Sequence, residues 1–296
     1  TYFSYEAEQY RDIGEGRAVV IRFKQKPLPL FLEGFVHALR IAEPEEVRRL
    51  YDAARNSELF DRKLGMYRVN EPLGENALDL GRIGVFNYGW LENGSIFLHM
   101  HYKFVLEMVR AGLIEEFYGQ IEQLLVAFRD PMEYGRNPVE NSSFLVSSGF
   151  SVDPRQHGRG CVARLSGSTV EFLHLWTHLL LGAAPFVFED GTLLFRPAPV
   201  LSKTFFSTSE HCVNPFGVEE ALPADSVACA LLGTTLLVYI NPSRQDTFGD
   251  AGVKPCRYRL HGRDGVMQTV EGLYLEGRVA KALRLGHFRR VDVLLA

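Results

Sequence analysis

Hydrophobic residues in the first two thirds of the chain recur at the spacing of an α-helix. Five segments have this pattern: 28–41, 44–55, 95–111, 114–128 and 168–181. Some ends carry separate signals, since Pro44 and two glutamates open the second segment, Gly112 follows the third, and Ser168 begins a Ser-Thr-Val-Glu capping box. Because the segments follow one another closely, they predict consecutive helical hairpins, as in a bundle or a toroid.

The segment 95–111 carries apolar side chains on several sides. A helix that is apolar over most of its circumference is usually buried between neighbours. The inner shell of a double-shelled (α/α) barrel is such an environment. We therefore predict that residues 1–184 form part of an (α/α) helical barrel.

The pattern changes near Gly182–Pro185. From there, short apolar or alternating runs are separated by Gly, Pro and Asp, at 186–188, 193–195, 234–240, 257–260 and 291–295. Such runs are typical of antiparallel strands. The predicted fold class is therefore α+β, with an antiparallel, sandwich-like β domain over residues 185–296.

Composition narrows the possible functions. The 296 residues are 46% hydrophobic and 23% charged, and the net charge of −4 gives no basic surface for nucleic acid. No apolar run approaches the ~20 residues of a membrane-spanning helix. The four scattered cysteines indicate thiols in a reducing compartment, and no signal peptide is visible, so we expect a cytoplasmic protein. Because Thr1 is not Met, we expect the chain to begin after processing or within a longer protein.

Two places could hold an anion. At 164–169 a polar, glycine-containing turn runs into a helix start, where free N–H groups and the helix dipole favour negative charge. His99, near the start of the third helix, could donate a hydrogen bond into the same site. The alternatives are a capped helix without a ligand and a core histidine bonded to a carbonyl group.

Other chemistry has less support in the sequence. His157 lies in a long loop beside basic residues, where an ordinary surface position is the alternative. His99 and His101 face different sides of a helix and cannot share a metal, so no metal site is expected. There is no H-E-x-x-H motif, nucleophile elbow or Walker loop, which argues against a metalloprotease, a serine hydrolase or a nucleotide phosphatase.

Three separated motifs resemble the cellobiose phosphorylase family. These are Glu-Asn-Gly-Ser-Ile-Phe-Leu-His at 92–99, His-Gly at 157–158 and Leu-Ser-Gly-Ser-Thr at 165–169. The stretches 141–150 and 157–172 are also similar to a large, mostly uncharacterised branch of cellobiose-phosphorylase-like proteins. The resemblance implies that residues 1–184 are the C-terminal part of an (α/α)6 toroid of the six-hairpin glycosidase kind.

The resemblance also implies roles for individual residues. His99, Ser166 and Gly167 match the family's phosphate ligands, with Ser in place of Thr at 166, and Glu92 matches a ligand for hydroxyl groups of the acceptor sugar. Trp90 could stack on a sugar, although no family role is carried to it. At 170–172, Val-Glu-Phe replaces the family's Ala-Ala-Trp, which leaves the acceptor sugar undefined.

The implied activity is inverting phosphorolysis of a β-glucosidic bond in a disaccharide or oligosaccharide. Inorganic phosphate is the co-substrate, no cofactor is needed, and one general acid suffices because phosphate is already anionic. The family's acidic segment, D-W-N-D, does not occur in this chain. We therefore expect no catalytic acid within the chain and a partner in the N-terminal remainder of the same enzyme.

Two alternatives remain open. An inverting glycoside hydrolase on the same barrel would need a second carboxylate, for which Glu92 or Glu140 could be nominated. A truncated carbohydrate- or phosphate-binding module without turnover is the other.

Overall fold

The computed structural model describes residues 3–74, 80–137, 143–163 and 167–296. The chain divides into two compact units, Thr1–Leu173 and His174–Ala296. The division falls inside a helix, eleven residues before the predicted boundary at 184/185, which stays a prediction.

The described helices are short. They are α1 (Leu32–Ile41), α2 (Pro44–Asn56), α3 (Leu98–Arg110), α4 (Ile114–Tyr118), α5 (Ile121–Leu124), α6 (Pro131–Tyr134), α7 (Gly167–Leu181) and α8 (Gly277–Arg284). Single 3-10 turns lie at Gly81–Val85, Val126–Phe128, Pro154–Gln156 and Lys203–Phe205. None of the described helices has both the length and the apolar character that crossing a membrane would need.

Strands occur in both units. Those of the first unit are β1 (Phe3–Gly14), β2 (Arg17–Pro27), β3 (Phe60–Asp61), β4 (Met66–Tyr67), β5 (Ile96–Phe97), β6 (Ser143–Val146) and β7 (Gly160–Ala163). Those of the second are β8 (Phe186–Glu189), β9 (Thr192–Phe195), β10 (His211–Val213), β11 (Glu220–Leu222), β12 (Ser226–Leu231), β13 (Thr235–Ile240), β14 (Pro255–Gly262), β15 (Met267–Glu271), β16 (Leu275–Glu276) and β17 (Phe288–Leu295).

The core of the first unit is built on helix α3. Helix α1 buries Leu32, Val36 and Leu39, a stripe with the spacing of one helical face, and packs on α3 and α2. Helix α3 has ten buried residues, so it lies between neighbours as its apolar pattern predicts. The short strand β5 leads directly into α3 and pairs with β6, which pairs with β7. This connection brings the start of α3 beside the 143–163 segment.

The second unit contains a five-stranded sheet in the order β12-β13-β17-β14-β15. All neighbours are antiparallel except β13 and β17, which are parallel. A three-stranded sheet, β16-β9-β8, and the hairpin β10–β11 complete the strands. The five runs predicted as strands all correspond to strands, with only Thr234 of the run 234–240 outside β13, but α8 was not predicted.

The predicted fold class, part of a helical toroid followed by an antiparallel β domain, is wrong. The structure is a mixture of small, mostly antiparallel sheets with short helices over 31% of its residues, and the described residues form no toroidal barrel. The predicted helix 114–128 breaks after Tyr118, since Gly119 caps α4 and only one further turn of α-helix follows in α5. A long hairpin, β1–β2, occupies residues for which no element was predicted.

Candidate anion-binding site

The structure brings His99 next to the start of helix α7. A Cβ atom built on Gly167 would lie 3.2 Å from Cβ, 3.6 Å from Cγ and 3.8 Å from Cδ2 of His99. A side chain at position 167 would therefore crowd the histidine. Glycine at this position allows the close approach of the helix start to the histidine.

Helix α7 begins one residue earlier than predicted. Gly167 is its first residue, so Ser168 lies within the first turn and is not the N-cap. The buried hydroxyl group of Ser168 donates a 3.0 Å hydrogen bond to the carbonyl oxygen of Ser143, at the start of β6. The first turn is thereby tied to the sheet that leads into α3. The positive end of the α7 helix dipole lies at this turn, and it favours a negatively charged ligand.

The imidazole of His99 is held by aromatic contacts. Its ring centroid lies 4.7 Å from that of Phe97 and 6.1 Å from that of Phe144. Among the described residues, no hydrogen bond uses its ring nitrogens. A ligand can therefore accept a hydrogen bond from His99 without displacing a protein group.

The pKa of His99 is lowered, and the largest cause is the partial burial of its ring. The positive charge of Lys103 lowers that pKa further, and the carboxylate of Glu33 acts in the opposite sense. Neutral His99 still has one N–H donor. Lys103 lies one helical turn after His99, so the i, i+4 spacing could have identified this positive group beside His99 from the sequence.

The two predicted sugar-binding residues have other partners. Glu92 forms an ion pair with Arg82, and the backbone of Trp90 forms a bridge with Asn93. Within the described ranges, neither side chain has a hydrogen bond or ring contact with His99. The structure therefore brings His99 and Gly167 together but gives no contact that joins Glu92 or Trp90 to them.

The remaining nominated residues divide into two groups. Ser166 and Glu140 lie outside the described residues. His157 lies in the described loop, where its Nε2 is 2.8 Å from the carbonyl oxygen of Ser151. This contact closes a loop over residues 151–157, so it supports the local structure of the loop.

His101 has a structural environment. Its Nδ1 accepts a 3.2 Å hydrogen bond from the backbone N–H of Tyr67, and its Nε2 lies 2.8 Å from the carbonyl oxygen of Leu124. Complete burial lowers its pKa to about 4. The two histidines of α3 thus differ in environment, because both ring nitrogens of His101 have hydrogen-bond partners in the core, whereas no described residue bonds those of His99.

A buried aspartate organises the loop that precedes β7. Asp61 accepts hydrogen bonds from the Ser148 hydroxyl group at 2.7 Å and the Gly149 N–H at 2.8 Å. It also accepts from the backbone N–H groups of Lys63 and Leu64. All four bonds satisfy the carboxylate within the protein, so Asp61 acts as a structural clamp. Sequence reasoning did not identify it.

Comparisons with known proteins add no support for a family. No protein-family model matches the chain. No curated protein matches it. The resemblance to cellobiose phosphorylases therefore rests on the sequence motifs and stays a prediction.

Proposed function

We propose that this chain supplies the phosphate-binding part of an inverting glycoside phosphorylase that acts on β-glucosides. The supporting observation is the close approach of His99 to Gly167, the first residue of α7. These two positions, which are 68 residues apart in the chain, are those that the family resemblance nominates. The predicted toroid is not part of the proposal, because the proposal needs only the local site.

The electrostatics of the site agree with phosphate. A helix N-terminus attracts negative charge, and His99 and Lys103 add an N–H donor and a positive charge on one face of α3. Phosphate oxygens accept hydrogen bonds from all three kinds of group. A neutral sugar hydroxyl group would gain less from the helix dipole and the lysine charge.

The proposed reaction needs the phosphate to be held in line with the bond that breaks. A phosphate oxygen forms a bond to the anomeric carbon while the glycosidic carbon–oxygen bond breaks. A general acid gives its proton to the leaving oxygen, and the products are a sugar 1-phosphate with inverted configuration and a shortened sugar. In this proposal the acid lies on polypeptide outside the 296 residues, and the enzyme is cytoplasmic.

Phosphate binding by the purified chain tests the proposal. Isothermal titration calorimetry with inorganic phosphate should show binding that His99→Ala weakens by about 10- to 100-fold, since a hydrogen bond to a charged group is lost. His99→Gln should retain part of the affinity because its amide group can donate. His211→Ala removes an exposed histidine of the second unit and should leave binding unchanged.

Binding of a β-linked glucose disaccharide is the second measurement. His99→Ala should weaken phosphate binding much more than disaccharide binding, whereas an equal loss of both would mean that His99 is only structural. The reaction itself is assayed on protein that also supplies the general acid, as sugar 1-phosphate release with and without phosphate. Cleavage that proceeds equally well without phosphate would identify a hydrolase and refute the proposal.

A further inference from the structure

The hairpin β1–β2 has one apolar face that the described structure leaves exposed. Its strands pair with each other as a separate two-stranded sheet. Most residue pairs of the hairpin follow one antiparallel register. Two register shifts next to Gln9 cancel each other, so the same face of each strand stays on the same side of the hairpin before and after Gln9. Six large apolar side chains of one face are each 46–65% exposed: Phe3, Tyr5, Ile13, Val19, Ile21 and Phe23.

The opposite face of the hairpin is suited to water. Ion pairs cross it between Glu6 and Lys26 and between Glu8 and Arg22. An isolated two-stranded hairpin is at best marginally stable in water, and it gains stability when one face is buried. The apolar face therefore needs a covering surface, while the polar face does not.

We infer that the covering surface is the same face of a second copy of this chain, related by a two-fold axis. Face-to-face packing with the strands antiparallel places the base of one hairpin against the tip of the other. Phe3 then meets Ile13 of the second copy, and Phe23 meets its Ile21. The apolar pattern of the face is complementary to itself in this arrangement.

Charge gives the second argument for a second copy. In the two strands, the apolar face contains Arg11 but no aspartate or glutamate. Arg11 forms no ion pair with a described residue. In the antiparallel arrangement Arg11 lies over Tyr5 of the other copy, on which a guanidinium group can stack. Each dimer would contain two such contacts.

The area is of the right size for association. The six apolar side chains together expose roughly 600 Å², and their polar neighbours on the face raise this toward the about 800 Å² per partner of a standard interface. The inference does not depend on the proposed phosphate site, which lies on other elements.

Two tyrosines provide a matched test. Tyr5 on the apolar face and Tyr10 on the polar face are 65% and 66% exposed. Replacing either tyrosine should therefore change the stability of the folded monomer little and to a similar extent. Sedimentation equilibrium of the whole chain over about 1–100 μM should give twice the 33.4 kDa chain mass at the upper concentrations. Tyr5→Lys should raise the dissociation constant about tenfold or more, because a lysine then faces Arg11, whereas Tyr10→Lys should not.

A charge exchange tests the register. Adding Arg11→Glu to Tyr5→Lys should restore dimers, since each lysine then faces a glutamate. Circular dichroism of each variant shows whether its fold is retained. A chain that stays monomeric throughout, equal weakening by the two tyrosine variants, or no recovery in the double variant would overturn the inference.

Discussion

The buried histidine of α3 makes the stability of the first unit depend on pH. His101 accepts a hydrogen bond at Nδ1 from Tyr67 and lies within hydrogen-bonding distance of the Leu124 carbonyl oxygen at Nε2. Only the neutral ring with its proton on Nε2 satisfies both bonds. Protonation would place a second proton on Nδ1, opposite a backbone N–H. Burial, which lowers the pKa of His101 to about 4, acts in the same direction.

The expected loss of stability follows from the two protonation equilibria. In the unfolded chain the pKa is near 6.5, so between pH 6.5 and pH 4 the unfolded state binds a proton that the folded state does not. Stability is therefore complete above pH 6.5 and falls as the pH decreases toward the folded pKa. A difference of about 2.5 pKa units corresponds to about 3 kcal/mol.

Urea unfolding at pH 7.5 and pH 4.5 measures this loss. The chain has two tryptophans, one in each unit, so a Trp176→Phe background leaves Trp90 to report on the first unit. His101→Gln is the control, because its amide group can accept and donate at similar positions but does not titrate. The histidine protein should lose about 2–3 kcal/mol more than the glutamine variant. Equal losses in the two proteins would refute the reasoning, and so would a histidine protein that is more stable at pH 4.5 than at pH 7.5.

Four further substitutions test the clamp and the helix start. Asp61→Ala removes the acceptor of four hydrogen bonds and should destabilise the first unit by about 3–4 kcal/mol in the same urea assay. Ser148→Ala removes one of these bonds and should cost about 1 kcal/mol. A loss below about 1 kcal/mol for Asp61→Ala would contradict the role of Asp61 as a clamp. Gly167→Ala should lower phosphate affinity about 3- to 10-fold with little change in stability, because crowding of His99 offsets the better helix propensity. Gly34→Ala in α1 meets no atom within 4 Å, so it should stabilise the protein by about 0.5–1 kcal/mol without affecting phosphate, and equal phosphate effects of the two variants would argue against the site.

Local signals predicted the helices of the first unit better than their assembly. The segments 44–55 and 95–111 correspond to α2 and α3 within a few residues, because periodicity and end signals act over a few turns. The toroid was wrong because the same helical segments can pack in several ways. The β1–β2 hairpin carries a readable signal, the alternation Val19-Ile21-Phe23 after a Gly-Glu-Gly turn, which the helical interpretation overlooked.

Contacts between distant residues were the least predictable. The bond between Asp61 and Ser148 joins positions 87 residues apart, and no periodic pattern marks such a pair. The approach of His99 to Gly167 is also non-local; the position of His99 near a helix start and the order of the family motifs suggested it, but no periodic pattern did. The role of His101 could not be separated from that of His99, because the partners that bury it come from Tyr67 and Leu124.

The position of β17 constrains the order in which the second unit can form. This strand comes last in the sequence, yet it lies in the middle of the five-stranded sheet, between β13 and β14. On the ribosome, the hairpins β12–β13 and β14–β15 can each form early, but the sheet that contains both is complete only after residues 288–295 have emerged. During synthesis both hairpins therefore present an open edge where β17 will insert, and this interval is when another nascent chain could pair with them.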